Sequence, residues 1–317
     1  MGRKIHGTGN LLSFGRFVPE PHRTGLRRRG PMQRLLWSPK RLSLGLILLV
    51  VAGALWIKGG FPFQTATHAA PVREYTLFVR EVDWEVAPGY TYKALTFNGS
   101  IPGPTLEAKE GEILRVKFKN EHSEPHSVHA HGVQYEFQHD GTSPTTHGPD
   151  VPPGGEFVYE WKAVPGTWFY HDHSVEGIRR GMYGAIVVHP KDEQVRPDRD
   201  FILFYGDLEP ETTGFADHPF SVFNGKAGMG TTPVLKSQVG DLVRFRLINL
   251  MDEPHTFHIH GHRWVYQGRL VDTVSVLPGE TATFEFREET PGHWMYHCHF
   301  LEHMEEGMMG LYEVSAR

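Results

Sequence analysis

One feature constrains the fold of this chain of 317 residues above all others: a single pattern is written twice. "FNGSIPGPTLEAKEGEILRVKFKN" (97–120) parallels "FNGKAGMGTTPVLKSQVGDLVRFRLIN" (223–249), and "EPHSVHAHG" (124–132) parallels "EPHTFHIHG" (253–261). "PGTWFYHDHSVEGIRRGMYGAIVV" (165–188) parallels "PGHWMYHCHFLEHMEEGMMGLYEV" (291–314). Each copy is about 110–120 residues, the size of an independent domain. Domains are therefore expected at 71–190 and 201–315, joined by the charged stretch "HPKDEQVRPDRD" (189–200). Within the copies, "LRVKFKN" and "VRFRLIN" alternate apolar and polar residues with period two, as half-buried strands do. Punctuation such as Pro152-Pro153-Gly154-Gly155 and Pro278-Gly279 separates the runs. Short strands at such spacing predict an all-β chain of two tandem sandwiches rather than βαβ units.

Histidine is abundant, at 21 residues, and it falls in clusters: His129-Ala-His131, His171-Asp-His173, His255-Thr-Phe-His258-Ile-His260, and His297-Cys-His299 followed by His303 and Met308. On a strand, residues i and i+2 share a face, so each H-x-H presents two imidazoles side by side. Chance accounts readily for one such pair. It does not account for four, placed at equivalent points of two repeats, and imidazole is the commonest side-chain metal ligand.

Cys298 is the only cysteine, so no intramolecular disulfide can form. If His297 and His299 face one way, Cys298 between them faces the other and serves a different metal. A thiolate, two imidazoles and a long axial thioether make the blue-copper electron-transfer set, and Cys298, His303, Met308 and His255 supply it. The first repeat has Asp172 where the second has Cys298 and Gly177 where it has His303. Only His126 and Met182 persist there, matching His255 and Met308. The first repeat is thus expected to lend its H-x-H pairs to a shared cluster while its own blue-copper position is dead.

These motifs, in the order H-x-H-G, H-x-H, H-x-x-H-x-H and H-C-H-x-x-x-H-x-x-x-x-M, resemble those of the multicopper oxidases, specifically the two-domain bacterial laccases, over about 75–315. The resemblance implies tandem cupredoxin-like Greek-key sandwiches and four coppers per chain. Carried over by position, His255, Cys298, His303 and Met308 would hold type 1 copper, and His129 and His258 type 2. His131, His171, His173, His260, His297 and His299 would hold the type 3 pair. The implied reaction couples four one-electron oxidations of a small reducing donor to reduction of O2 to two H2O. It also implies a homotrimer, because a cluster built from both domain types forms where domain one of one subunit meets domain two of the next, a heterologous contact that can close a ring.

Asp140 matches an acidic position that the family places beside the type 2 copper, for proton delivery; its bland alternative is a turn-forming Asp-Gly. Tyr135, four residues after His131, is a candidate electron donor to the cluster or simply a core tyrosine. His122, His139, His147, His189, His218 and His293 are read as surface or supporting residues, and His262 as pointing away from the cluster or supporting it. For the donor, phenols and aromatic amines come first. Cuprous, ferrous or manganous ions come second, motivated by Glu302, Glu305, Glu306 and the net charge. A copper nitrite reductase would lack the H-C-H motif and carry its blue site in the first domain. A non-enzymatic blue-copper carrier would leave eight histidines idle.

Residues 1–41 carry ten Lys/Arg against one acid, whereas 59–317 hold 21 basic and 36 acidic residues, a net of −15. That balance argues against nucleic acid as a partner. Between the two lies "LSLGLILLVVAGALWI", 16 uncharged residues. Residues 42–58 are thus expected to be a membrane anchor or a signal sequence behind a basic cytoplasmic tail, with the rest extracytoplasmic. The arginine triplet 27–29 hints at twin-arginine export.

Overall fold

The period-two runs become strands with one buried face: in "ILRVKFK", Leu114, Val116 and Phe118 are buried while the residues between them are not. The structure is a computed structural model that describes residues 70–142, 150–216 and 218–317. The expected tail (1–41), the apolar run (42–58) and His147 lie outside the described residues. Among the described residues, no helix is long and apolar enough to cross a membrane.

The first sandwich contains β1 (Val72–Ala87), β2 (Tyr90–Phe97), β3 (Leu106–Lys109), β4 (Ile113–Lys119), β5 (His129–Ala130), β6 (Glu156–Lys162), β7 (Gly166–His171), helix α1 (Val175–Arg180) and β8 (Tyr183–His189). Its sheets run β2-β1-β4-β6 and β3-β8-β7-β5. The second contains β9 (Arg199–Leu208), α2 (Pro210–Thr213), β10 (Phe220–Phe223), β11 (Leu235–Gln238), β12 (Leu242–Asn249), β13 (His255–Ile259), β14 (Trp264–Tyr266), β15 (Arg269–Val271), β16 (Thr273–Val276), β17 (Thr281–Arg287), β18 (Gly292–His297), α3 (Leu301–Glu305) and β19 (Met309–Ser315). Its main sheets, β10-β9-β12-β17 and β11-β19-β18-β13-β16, repeat the first order strand for strand, with β16 added and β14-β15 as a separate hairpin.

The sequence repeat is also a repeat of hydrogen bonds. Asn98 and Asn224, each before a glycine, adopt φ of 60° and 51°. Asn98 accepts the Phe78 amide at 2.8 Å and donates to the Thr76 carbonyl at 2.9 Å; Asn224 does the same with Phe204 and Ile202 at 2.7 and 3.0 Å. Asparagine tolerates the left-handed region better than most residues, which suits it to this turn.

Each sandwich has its own core, one around Phe97, Phe118 and Trp161, the other around Phe245, Phe257 and Trp264. A third apolar cluster joins them, Phe169 and Tyr183 from the first half packing with Phe204, Leu208, Val222 and Ile248 from the second. Polar ties reinforce this seam. Trp84 donates to the Gly225 carbonyl at 2.6 Å, and Arg246, paired with Asp200 at 2.8 and 3.0 Å, donates to the Thr167 hydroxyl at 2.6 Å.

Candidate metal centres

Strand pairing gathers the histidines. His129 lies opposite His171 across β5 and β7, and His258 opposite His297 across β13 and β18. Two groups result, His129 with His131 and His171, and His258 with His260 and His297; in each, donor atoms lie within 4.8 Å of one another. The facing nitrogens are Nε2 of His131 and His171 at 3.0 Å, and Nε2 of His260 and His297 at 3.2 Å. His173 and His299 flank these groups. The His173 ring centroid is 5.4 Å from that of His129, and the His299 centroid is 5.6 Å from that of His258. Among the described residues no group unites His129 with His258 in a single chain.

The tautomers follow from the other ring nitrogen. Nδ1 donates to a backbone carbonyl in four of these residues: His129 to Asp140 at 2.7 Å, His171 to Asp172 at 2.7 Å, His258 to Asp272 at 2.8 Å and His297 to Cys298 at 2.7 Å. Nε2 therefore keeps its lone pair, the arrangement usual for metal-ligating histidine. Burial, together with neighbouring imidazoles, pushes His131 down to about 3 and His171 to about 4, and lowers His260 and His297 as well. All four are neutral at neutral pH, and the Nε2 lone pairs of His171 and His297, fixed by their carbonyl partners, point towards His131 and His260.

The third group is His255, Cys298 and His303. Cys298 follows β18 and turns into the apolar core, away from its histidine neighbours, as alternation predicted. Its amide donates to the Met308 carbonyl at 3.1 Å, which brings the buried Met308 alongside. Nδ1 of His255 lies 3.1 Å from Nδ1 of His303, and that atom is 3.7 Å from the Cys298 sulfur. Burial opposes ionisation of the thiol. Hydrogen bonds from His255, the Thr256 amide and the Thr256 hydroxyl outweigh it and bring Cys298 down to about 6. Asp207 faces Nε2 of His255 at 3.1 Å, and Tyr205 stacks on that ring with centroids 4.9 Å apart. A buried thiolate with two imidazoles and a methionine alongside fits copper.

Asp140 and Tyr135 both reach the first histidine group. An Asp140 oxygen is 3.5 Å from Nδ1 of His129, and the Tyr135 ring centroid is 6.3 Å from that of His129. Burial and a hydrogen bond to Asp140 raise the Tyr135 hydroxyl to about 12. Sequence reading missed Asp272, which the fold puts in the matching place of the second half: its carbonyl holds His258 as that of Asp140 holds His129. No motif marks it, because "LVDTV" does not resemble "QHDGT"; only the pairing of β13 with β16, the strand added in the second half, finds it.

His262 supports the cluster, the second of its two expected roles. Nδ1 donates to the His260 carbonyl at 2.8 Å, while Nε2 lies 3.1 Å from both oxygens of buried Glu288. Tyr312 donates to Glu288 at 2.5 Å and exchanges a hydrogen bond with Ser237 at 2.7 Å. The first half fills the same three places with Val133, Ala163 and Ile186. Of the other histidines, His139 accepts the Glu160 amide, His189 pairs with Glu193, His218 packs on Tyr90 and His293 is exposed. His122 does more, as described below.

A cleft of about 400 Å³ opens beside His303, lined by Asp207, Glu209, Glu253, Glu302 and Glu306, with Phe220 and Pro219 among its few apolar walls. Glu305 does not line it. Burial and the charges of Asp207, Glu211 and Glu306 raise the Glu209 carboxyl.

Multicopper oxidase family models match residues 79–193 and 206–317. A "Probable nitrite reductase-hydroxylamine oxidoreductase fusion protein" of Kuenenia stuttgartiensis is 33% identical over 239 residues, covering 68% of this chain and 28% of that protein. Human ceruloplasmin is 28% identical over 309 residues, 83% of this chain and 28% of its own length. The chain thus spans little more than a quarter of these curated relatives. A solved multicopper oxidase is 35% identical with a TM-score of 0.70, covering 77% of this chain and 89% of that one. The sandwiches are cupredoxin-like, as the resemblance implied, and with both halves matched in tandem the chain belongs to the multicopper oxidase family.

Proposed function

We propose that the chain is a laccase-type oxidase, holding four coppers, that draws single electrons from a small donor beside His303 and delivers four of them to O2, yielding two H2O. The observation that carries this is covalent continuity. Cys298, buried with His255 and His303, is bonded on either side to His297 and His299, which belong with the second histidine group. Copper, when bound, supplies the one-electron redox chemistry. His255, Cys298, His303 and Met308 would hold type 1 copper, His129 and His258 type 2, and His131, His171, His173, His260, His297 and His299 the type 3 pair.

The chain's own residues do the rest. The carbonyls of Asp140, Asp172, Asp272 and Cys298 fix imidazole tautomers so that Nε2 is presented unprotonated. The Asp140 carboxylate, beside His129, holds a proton for oxygen reduction, with Tyr135 hydrogen-bonded to it as a further donor. Asp272 contributes its backbone carbonyl to Nδ1 of His258.

Separate His129 and His258 groups support a homotrimer in which each cluster is completed between subunits. Light scattering tests this: a monomer active at assay concentration would refute it. The basic, then apolar, N-terminal sequence supports an extracytoplasmic enzyme, anchored or exported.

A second reading of the donor rests on the cleft beside His303. Five carboxylates line it, so its field favours cations over neutral phenols. Aromatic amines in their cationic form, or cuprous, ferrous or manganous ions, suit it best. Oxygen uptake with a neutral phenol, a cationic aromatic amine and each reduced metal decides between them. Glu302→Gln with Glu306→Gln should raise KM for cations about tenfold and leave it unchanged for a phenol. Copper analysis tests the parent reading: about four per chain is expected, two would point to nitrite-reductase-like chemistry, and one to an electron carrier.

A further inference from the structure

The dead blue-copper position of the first half is not filled with apolar side chains. His126 and Asp172, which stand where the second half has His255 and Cys298, are both buried. Asp172 accepts four hydrogen bonds: from the Ser127 amide at 2.9 Å, the Ser174 amide at 3.3 Å, the Ser174 hydroxyl, and Nδ1 of His126 at 3.2 Å. The acceptor-only carboxylate thus takes the Nδ1 proton of His126 and leaves Nε2 with a lone pair.

That lone pair faces a second imidazole. Helix α1 cannot supply one as α3 supplies His303, because a Cβ on Gly177 would lie 2.1 Å from an Asp172 oxygen. The ring comes instead from the loop after β4, where Nδ1 of His122 sits 3.0 Å from Nε2 of His126. Asn120 shapes this loop, accepting the His122 amide at 2.9 Å and donating to the Glu124 carbonyl at 2.7 Å. The Glu124 amide points at Nδ1 of His122 at 3.3 Å, a long contact that puts the ring proton on Nε2 and that an ion at Nδ1 would displace. In the second half Asn249 builds the same loop, but the residue two further on is Met251, buried in the seam between the sandwiches. The first half alone has an imidazole here.

We propose that His122 and His126 bind one divalent cation of the imidazole-preferring class, zinc or cupric ion, through Nδ1 and Nε2 respectively, with Asp172 orienting His126 from behind. Two nitrogens each about 2.0–2.1 Å from one ion stand about 2.9–3.4 Å apart as the angle between them opens from a right angle to tetrahedral. The observed spacing falls within that range and resembles those in the three donor groups above. Burial and the neighbouring His126 hold His122 below its usual range, so its ring is neutral at neutral pH. His122 is only partly buried, which leaves the remaining coordination positions to water. Glu81 and Glu124 add negative charge nearby, offset in part by Arg180, which pairs with Glu81 at 2.9 Å.

The test uses copper-loaded, oligomeric protein titrated with Zn2+ by calorimetry, with copper quantified before and after. One additional equivalent of Zn2+ per chain is expected without loss of copper. His122→Ala should weaken that binding at least tenfold while leaving copper content and oxygen uptake unchanged. A zinc-edge anomalous map of soaked crystals should place the ion between His122 and His126. No extra equivalent, an equivalent that His122→Ala does not weaken, or zinc only elsewhere would overturn the proposal, the two rings then sharing an ordinary N–H···N hydrogen bond. Copper content reports separately on the proposed function.

Discussion

Glu288→Ala is the sharpest probe of how the second half holds its histidines. Glu288 is buried, and its carboxylate receives His262, Tyr312 and the Thr290 amide. Burial alone would raise this carboxyl, but hydrogen bonds from His262 and Tyr312 outweigh it and hold it below its usual range; burial would lower His262, and Glu288 raises it instead. Removing one partner of such a buried pair costs about 3–5 kcal/mol. At about 2–4 °C per kcal/mol for a chain of this size, the melting temperature of metal-free protein should fall by roughly 6–20 °C. The pH dependence has two limbs. The Glu288 contribution is complete above its unfolded pKa and is lost as pH falls through the depressed folded value. That of His262 is complete below its unfolded pKa and is lost as pH rises through the raised folded value. The difference between wild type and variant should therefore be greatest between about pH 4.3 and 6.5 and shrink on both sides. Calorimetric melts across that range are the assay. A second variant guards against a plain cavity effect: His262→Val with Glu288→Ala and Tyr312→Ile installs the apolar trio of the first half, Val133, Ala163 and Ile186. It should recover most of the lost stability, since apolar replacement of a buried ion pair is often neutral. A fall of less than 2 °C for Glu288→Ala, or a triple variant no more stable than the single one, would refute the reasoning.

Cys298→Ser should remove the blue colour and about one copper in four, and abolish donor-dependent oxygen uptake; retained colour would mean that the thiolate is not the ligand. Asp140→Asn should lower kcat by about 10²–10⁴-fold with copper retained, the range for a lost proton donor, and a normal kcat would remove the role from that carboxylate. In Gly132→Ala the new Cβ would lie 2.0 Å from the Trp168 ring, at a φ of +73°. It should destabilise the first sandwich by about 1–3 kcal/mol in denaturant melts, and an unshifted midpoint would refute that.

Much of this site is legible in the sequence because strand geometry is simple. Period two puts His297 and Cys298 on opposite faces, and Cys298 is indeed in the core while His297 joins His258 and His260. The long parallels between the halves are likewise realised as one sheet order used twice. Asp272 was not legible, because its role is set by a carbonyl brought beside His258 by pairing of β13 with β16, and a carbonyl leaves no residue signature. Nor was the contact of His122, expected as a surface or supporting residue, with His126, because the Asn120 turn that aims it there leaves no motif.

By itself, then, the sequence determined the two sandwiches, the identity of the donor atoms and the separation of thiolate from imidazoles, since each depends on local alternation and on residue chemistry. Tertiary structure alone decided which ring nitrogen each histidine presents, which carboxylates stand beside them, and that Asp207, Glu209 and Glu253 join Glu302 and Glu306 around His303. These depend on contacts between residues far apart in the chain, such as Asp207 with His255 and Glu288 with His262, which only the packing of one strand against another brings within hydrogen-bonding distance.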